Sequence, residues 1–299
     1  SFVDYCYEKK LEPYFVHEGF EGLIDNKIKK AKHKDVSGIL HLGGTIIKTS
    51  RSKRFLETKY RQKAYENLKS HNIDKLIVLG GNGTFKGLHT FAQEFELAFV
   101  GIPATIDNDI YGSDYSLGVD TALNVIKSAL DDIRDTSSSL KKAFVVETMG
   151  RDCGYLAAIS AIISGAEICV IPEIKTDLNS LEKKLKDELK HGREYILAVV
   201  SEGSKQTNDL VSWISDKLKI DTRSIVLGHI QRGGNPTVFE RLMANEFVVY
   251  SIDKIIKENS QSMIVYKNSK FKFIDINKFT DRKQKIDKKI LKQLEKMTK

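Results

Sequence analysis

Two carboxylates two positions apart, Asp107 and Asp109, lie in the segment Pro103-Ala104-Thr105-Ile106-Asp107-Asn108-Asp109. The segment follows the apolar run Leu97-Ala98-Phe99-Val100, and strand ends are where open α/β sheets carry their working loops. Two acids so placed can divide a task. One accepts a proton while the other holds a metal ion or orients the first. Taken alone the segment also reads as a polar turn, a use to which Asp and Asn are well suited. Its neighbours decide between the two.

Leu79-Gly80-Gly81-Asn82-Gly83-Thr84 directly follows Leu76-Ile77-Val78 and opens a helical pattern. Glycines at a strand-to-helix junction let backbone amides approach phosphate oxygens, and the helix N-terminus adds partial positive charge. A second loop, His41-Leu42-Gly43-Gly44-Thr45, precedes Ser50-Arg51 and on its own reads equally as a simple turn. Glu147-Thr148-Met149-Gly150-Arg151 sits at another strand end. Leu227-Gly228-His229-Ile230-Gln231-Arg232-Gly233-Gly234 follows Arg223 closely. A single arginine is usually a surface ion pair. Four of them beside strand-end or glycine loops (Arg51, Arg151, Arg223 and Arg232) suit bidentate phosphate contacts. Cationic clamps, a glycine cradle and a carboxylate base together describe phosphoryl transfer.

The elements that must position these groups alternate along the chain. Strands are expected at Tyr14 to His17, Lys75 to Leu79, Leu97 to Val100, Ala143 to Val146, Ile168 to Ile171, Ile196 to Val200 and Ser224 to Leu227. They are rich in Val, Ile and Leu, as strands buried on both faces must be. Helical stripes lie between them: Tyr60, Ala64 and Leu68; Leu181, Leu185 and Leu189; and Ile286, Ile290, Leu294 and Met297. This predicts an α/β fold of two three-layer domains with mainly parallel sheets and a ligand site in the cleft between them. The 299 residues are ordinary in composition, 41% hydrophobic and 29% charged. No apolar run approaches the ~20 residues of a membrane span, and the N-terminus carries no basic-then-apolar signal pattern. Cys6, Cys153 and Cys169 match neither a zinc nor a disulfide spacing, so reduced structural thiols in a cytoplasmic protein are expected. The net charge of +8 suits phosphorylated metabolites as well as nucleic acid. Lys27 to Lys34 and Arg282 to Lys299, which hold much of that charge, interleave no aromatics, so nucleic acid is not expected as a partner.

The combination of Gly80 to Thr84, Pro103 to Asp109, Arg134-Asp135-Thr136-Ser137-Ser138-Ser139, Met149-Gly150-Arg151 and Gly228 to Gly234 resembles the bacterial-type ATP-dependent 6-phosphofructokinases, over essentially the whole chain. The resemblance implies the following roles. Asp107 is the base for the sugar 1-hydroxyl, with Asp109 supporting the Mg2+ site, Thr105 touching substrate and Arg151 stabilising the transferring phosphoryl group. Arg51, Gly81, Asn82, Gly83, Thr84 and Gly87 form the ATP site, and Asn82 and Asp109 are the metal-side residues. Met149, Glu202, His229 and Arg232 hold fructose 6-phosphate, and Lys142 and Arg223 grip its 6-phosphate from a neighbouring subunit, which implies a homotetramer. Arg134, Glu167 and Arg193 belong to an effector site. Gly83 and Ala104 stand where pyrophosphate-dependent relatives place an acid and a lysine, which implies ATP as donor. The two domains would be a nucleotide-binding one, residues 1–118 and 231–281, and a fructose 6-phosphate-binding one, residues 119–230 and 282–299.

The chain departs from the resembled pattern in three places. Ser1 to Tyr5 match the helix that follows the family's first strand and glycine-glycine-aspartate loop. Asn82 stands where the family has an acid; its amide oxygen reaches Mg2+ without charge, and weaker Mg2+ binding is expected. Asp4, His33 and His191 replace effector-site cations, so weak regulation by ADP or phosphoenolpyruvate is expected. The first two departures motivate an alternative, a catalytically weakened regulatory or scaffold subunit.

Overall fold

The computed structural model describes residues 1–279 and 284–298. The expected domain boundary at 281/282 and Arg282 lie outside the described residues. In chain order the strands are β1 (Tyr14–Val16), β2 (Ile28–Lys30), β3 (Lys75–Gly80), β4 (Ala98–Pro103), β5 (Ala143–Thr148), β6 (Ile168–Val170), β7 (Ile196–Ser201), β8 (Thr222–Val226), β9 (Gln261–Lys267) and β10 (Lys270–Asp275). The α-helices are α1 (Phe2–Glu8), α2 (Gly19–Ile24), α3 (His33–Val36), α4 (Thr58–Ser70), α5 (Asn82–Glu94), α6 (Val119–Leu140), α7 (Tyr155–Ser164), α8 (Leu178–Lys190), α9 (Thr207–Leu218), α10 (Val238–Lys257) and α11 (Lys288–Thr298). The chain divides into two compact units. The first comprises residues 1–105, 110–117 and 235–284, and the second 106–109, 118–234 and 285–299.

The first unit is built on the sheet β10-β9-β4-β3, in which β4 pairs in parallel with both β3 and β9 while β9 and β10 form an antiparallel hairpin. β4 is buried along its whole length, which is why every residue in it is apolar or glycine. Gly101 is required by packing: a Cβ there would stand 2.9 Å from Phe85 Cε1 on α5. Phe85, Leu88, Phe99, Ile110, Met263, Ile276 and Phe279 form one core cluster, and Leu23, Phe55, Ala64, Leu68 and Phe91 another beneath α2 and α4. β1 and β2 form a separate small antiparallel sheet.

The second unit carries the all-parallel sheet β6-β7-β5-β8. Ala143, Val145, Ile196, Ala198 and Val200 pack on Leu181 and Leu185 of α8 and on Leu210 and Ile214 of α9. α6, α7 and α11 cover the opposite face. α7 is buried at Leu156, Ala157, Ala158, Ser160 and Ala161, so it is apolar nearly all round and lacks the single stripe of a surface helix. The helix ends follow local chemistry. Asp177 caps α8 by accepting from Asn179 N and Ser180 N, and Thr237 caps α10 by accepting from Glu240 N.

The α/β class with mainly parallel sheets is as expected, and strands stand in each of the seven expected segments. Three strands lie outside that set, and each has a reason. β2 is three residues with two lysines. β10 reads Lys-Phe-Lys-Phe because it is a sheet edge with one face solvated. β9 joins it through Asn268 and Ser269, both with positive φ (52° and 57°), the backbone of a tight primed hairpin turn. The expectation of strands buried on both faces holds for β4, β6 and β7. It does not hold for β1, which is half-buried, for the edge strand β3, where Leu79 is exposed, or for the edge strand β8, where Arg223, Ser224 and Val226 are exposed. α11 starts after Ile286, which is buried ahead of the helix, and Leu294 is the buried residue of its stripe.

Candidate active site

In the second unit, four loops at the carboxyl ends of strands bring the expected catalytic side chains together. Asp107 is 3% exposed and lies in a turn followed by Asn108, whose φ is +51°. Its carboxylate meets Arg151, with Arg151 Nε 3.3 Å from Asp107 Oδ2. The partners differ in access: Arg151's side chain is 60% exposed and Asp107's 4%. Burial raises the pKa of Asp107 above the ordinary carboxylate range. Arg151 and Arg232 pull it down, and Asp109 and Glu202 push it up. A carboxylate raised in this way is a better proton acceptor than a free one.

Arg151 is held by the loop Met149-Gly150-Arg151. Gly150 has φ +137° and Arg151 φ +50°. A Cβ on Gly150 would stand 2.3 Å from the Cys153 carbonyl oxygen, so only glycine fits. Glu202, in the turn after β7, accepts from Gly150 N (3.1 Å) and Arg151 N (2.7 Å) through one carboxylate oxygen. On the other side Gln231 accepts from Met149 N (3.1 Å) and donates to Gly228 O (3.0 Å). Gln231 lies in the 3-10 turn Gly228–Arg232, which presents the exposed side chains of His229 and Arg232. Thus Asp107, Asp109, Met149, Arg151, Glu202, His229 and Arg232 belong to one unit, and contacts or electrostatic coupling link Asp107, Asp109, Arg151, Glu202 and Arg232 directly.

Two further cations converge on a single anion. Lys142 Nζ is 2.8 Å and Arg223 Nη2 3.4 Å from Asp221 Oδ2. Both rise from the β5–β8 side of the sheet, where Ala143 pairs with Thr222.

The first unit holds the other expected residues. Asn82, Gly83 and Thr84 form the first turn of α5, immediately after β3 and Gly81. Gly80 is dictated by that turn, since a Cβ would meet Thr84 Cβ at 2.5 Å. Gly81 faces Thr105, whose Cβ would be 3.5 Å from a Cβ at position 81, and nothing lies within 4 Å of one on Gly83. Gly87 makes room for a ring: a Cβ there would be 3.2 Å from Phe20. Arg51 is exposed on the irregular segment before residue 54.

The expected effector residues lie in two places. Arg193 pairs with Glu167 and, at 2.8 Å, with Glu188, while Glu167 accepts from Leu197 N at 2.7 Å. Arg193 and Glu188 line a cavity of about 500 Å³ in the second unit, together with His191. Arg134 runs along α6 with Nη2 buried, 4.0 Å from the place a Cβ on Gly165 would take. In the first unit His33 Nδ1 is 2.8 Å from Asp4 Oδ1, and both line a cavity of about 660 Å³. Sequence reasoning assigned no role to Gln231, although the glycine turn containing it was singled out. Gln231 is 1% exposed between the exposed Ile230 and Arg232, a tertiary fact that no sequence signal marks.

A family model described as phosphofructokinase matches residues 1–255, and the chain belongs to that family. The ATP-dependent 6-phosphofructokinase of Sulfurimonas denitrificans is 51% identical over 296 residues, covering 99% of this chain and 93% of that protein. The ATP-dependent 6-phosphofructokinase of Wolinella succinogenes is 52% identical over 275 residues, covering 92% and 86%. Among solved structures, phosphofructokinase from Saccharomyces cerevisiae superposes with a TM-score of 0.87 at 27% identity, covering 93% of this chain; this chain spans 42% of the yeast one.

Proposed function

We propose that the chain transfers the γ-phosphoryl group of ATP to the 1-hydroxyl of fructose 6-phosphate, giving fructose 1,6-bisphosphate and ADP. The observation that carries this reading is the buried Asp107 carboxylate 3.3 Å from Arg151, in a chain half identical to ATP-dependent 6-phosphofructokinases. Asp107 takes the hydroxyl proton as the sugar oxygen bonds to the γ-phosphorus and the bond to the β–γ bridging oxygen breaks. Arg151, exposed and pinned by its backbone, meets the charge on the phosphoryl oxygens. Met149, Glu202, His229 and Arg232 hold the sugar, with Thr105 beside it. The first turn of α5 with Gly81, Asn82, Gly83 and Thr84 faces the nucleotide phosphates, with Arg51 and Gly87 in the same unit. Residues 1–105, 110–117 and 235–284 are thus assigned chiefly to nucleotide, and 106–109, 118–234 and 285–299 chiefly to fructose 6-phosphate.

Magnesium fits the donors present. Asp109 offers a carboxylate and Asn82 an amide oxygen, the hard ligands Mg2+ takes, and no group of three His, Cys, Asp or Glu forms a metal cage among the described residues. When bound, the ion neutralises phosphate charge.

Lys142 and Arg223 already share one carboxylate, Asp221, and are therefore close enough to share a phosphate. We assign them to the 6-phosphate of a neighbouring subunit's substrate, in a homotetramer. Arg134, Glu167 and Arg193 are assigned to an effector site in the second unit, where His191, which replaces a cation of the resembled pattern, lines the same cavity as Arg193 and Glu188, and regulation through it is expected to be weak. The buried free cysteines and phosphorylated substrates suit the cytoplasm. A coupled assay following ADP release tests the activity: fructose 6-phosphate must stimulate ATP consumption with fructose 1,6-bisphosphate as product, and ATP consumption indifferent to the sugar phosphate overturns the proposal.

A further inference from the structure

We propose that Gln231 is a positioning residue for phosphoryl transfer, which acts through the Met149–Arg151 loop on Arg151. The inference rests on the kinase reading above and deepens it.

Gln231 is 1% exposed between two exposed neighbours, Ile230 and Arg232. Both ends of its amide are used, one across to another loop and one within its own turn. Oε1 accepts from Met149 N at 3.1 Å, and Nε2 donates to Gly228 O at 3.0 Å. The amide therefore ties the start of the Arg151 loop to the start of the turn that carries His229 and Arg232. That turn is itself anchored. Gly228 has φ +55°, and Gly234, φ +100°, lies so close to α6 that a Cβ would stand 3.0 Å from Val125 Cγ2 and 3.4 Å from Thr121 Cγ2.

The loop on the other side needs such a tie. Gly150 and Arg151 both have positive φ; the glycine adopts it freely, but Arg151 in the left-handed region persists only where its surroundings over-determine it. Glu202 fixes the amides of Gly150 and Arg151. Gln231 fixes the amide of Met149, the residue before that pair. Three consecutive backbone N–H groups are thus held by two side chains from two other loops. Arg151's own side chain is largely exposed, so little packing sets its direction and its backbone must do so. Small misplacement of a group that meets the transferring phosphate is costly, on the order of 100-fold for about 1 Å.

The test is a double-mutant cycle in the full chain. Gln231→Met keeps length and packing volume while removing both hydrogen bonds. Gln231→Glu keeps the acceptor for Met149 N. Each is measured for kcat, KM for fructose 6-phosphate and thermal midpoint, in the parent and in an Arg151→Lys background. Gln231→Met is expected to lower kcat roughly 10- to 100-fold in the parent and less than about threefold in the Arg151→Lys background, as expected for residues that act as a unit. Gln231→Glu is expected to recover part of the parent kcat. Equal losses in both backgrounds, or a kcat loss that merely follows the thermal midpoint in both variants, overturn the assignment of Gln231 and leave the kinase reading standing. An unmodified chain with no fructose 6-phosphate-dependent turnover overturns the kinase reading, and this inference with it.

Discussion

Glu202 accepts hydrogen bonds from the backbone amides of both Gly150 and Arg151, at 3.1 and 2.7 Å, through a single carboxylate oxygen. A residue expected to contact sugar is thereby also a brace for the loop that carries the phosphoryl-stabilising arginine. In the proposed mechanism, sugar binding and phosphoryl transfer are thereby linked through one side chain. Glu202→Gln should therefore lower kcat as well as raise KM for fructose 6-phosphate, each by about tenfold. Its neutral amide oxygen accepts weaker hydrogen bonds than a carboxylate. Steady-state kinetics check this, and a change confined to KM would remove the bracing role.

Asp107→Asn should reduce turnover by about 10²- to 10⁴-fold, the usual worth of a positioned general base, with KM for fructose 6-phosphate little changed. The coupled assay, followed over varied sugar phosphate, reads both constants.

The raised pKa of Asp107 also has a sign for stability. In the unfolded chain the group titrates at the ordinary aspartate value; in the fold it holds its proton to higher pH. Between those two values the folded chain binds the extra proton, so stability falls as pH rises through the window, and the penalty is complete above it. Asp107→Asn should therefore be more thermally stable than the parent at pH 7, with the gap closing in acid. Arg151 lowers this pKa, so Arg151→Met should move the acid limb of the residual kcat/KM profile to higher pH. Scanning calorimetry and a pH–rate series give the two readouts.

Gly150→Ala meets two obstacles, a φ of +137° and a Cys153 carbonyl oxygen 2.3 Å from the new Cβ. Backbone strain alone costs about 1–3 kcal/mol, and relief of the clash must move the loop. A lowered thermal midpoint and loss of most turnover are expected, measured on the same preparation.

Asn82→Asp adds a charge at the head of α5. A unit charge about 4 Å from a partner is worth up to ~4 kcal/mol at an effective dielectric of 20, and water and phosphates reduce that. The Mg2+ concentration for half-maximal activity should fall severalfold. An unchanged Mg2+ dependence would take position 82 away from the metal.

Much of this protein was legible before folding. The glycines before α5 and the apolar β4, β6 and β7 declare themselves by composition, because a strand buried on both faces has no other choice. The acids of residues 107–109 read alone as a polar turn as easily as a site; only their combination with the arginines of the glycine loops points to phosphate chemistry. β10 escaped notice because an edge strand can carry lysines on its wet face, and Gln231 because nothing in its neighbours marks it as buried.

What tertiary structure alone decided is which groups meet. Asp107 and Arg151 are 44 residues apart in sequence, and their 3.3 Å contact depends on two strand-end loops converging on one site. The elevated pKa of Asp107 follows from burial, which no residue type contains. The tie from Gln231 to Met149 spans 82 positions, and only the packed sheet brings those two loops within a hydrogen bond. Sequence thus determined the chemical inventory and the elements that bear it, because residue type and periodicity are local properties. Distances, burial and the resulting electrostatics are collective, and only the fold could set them.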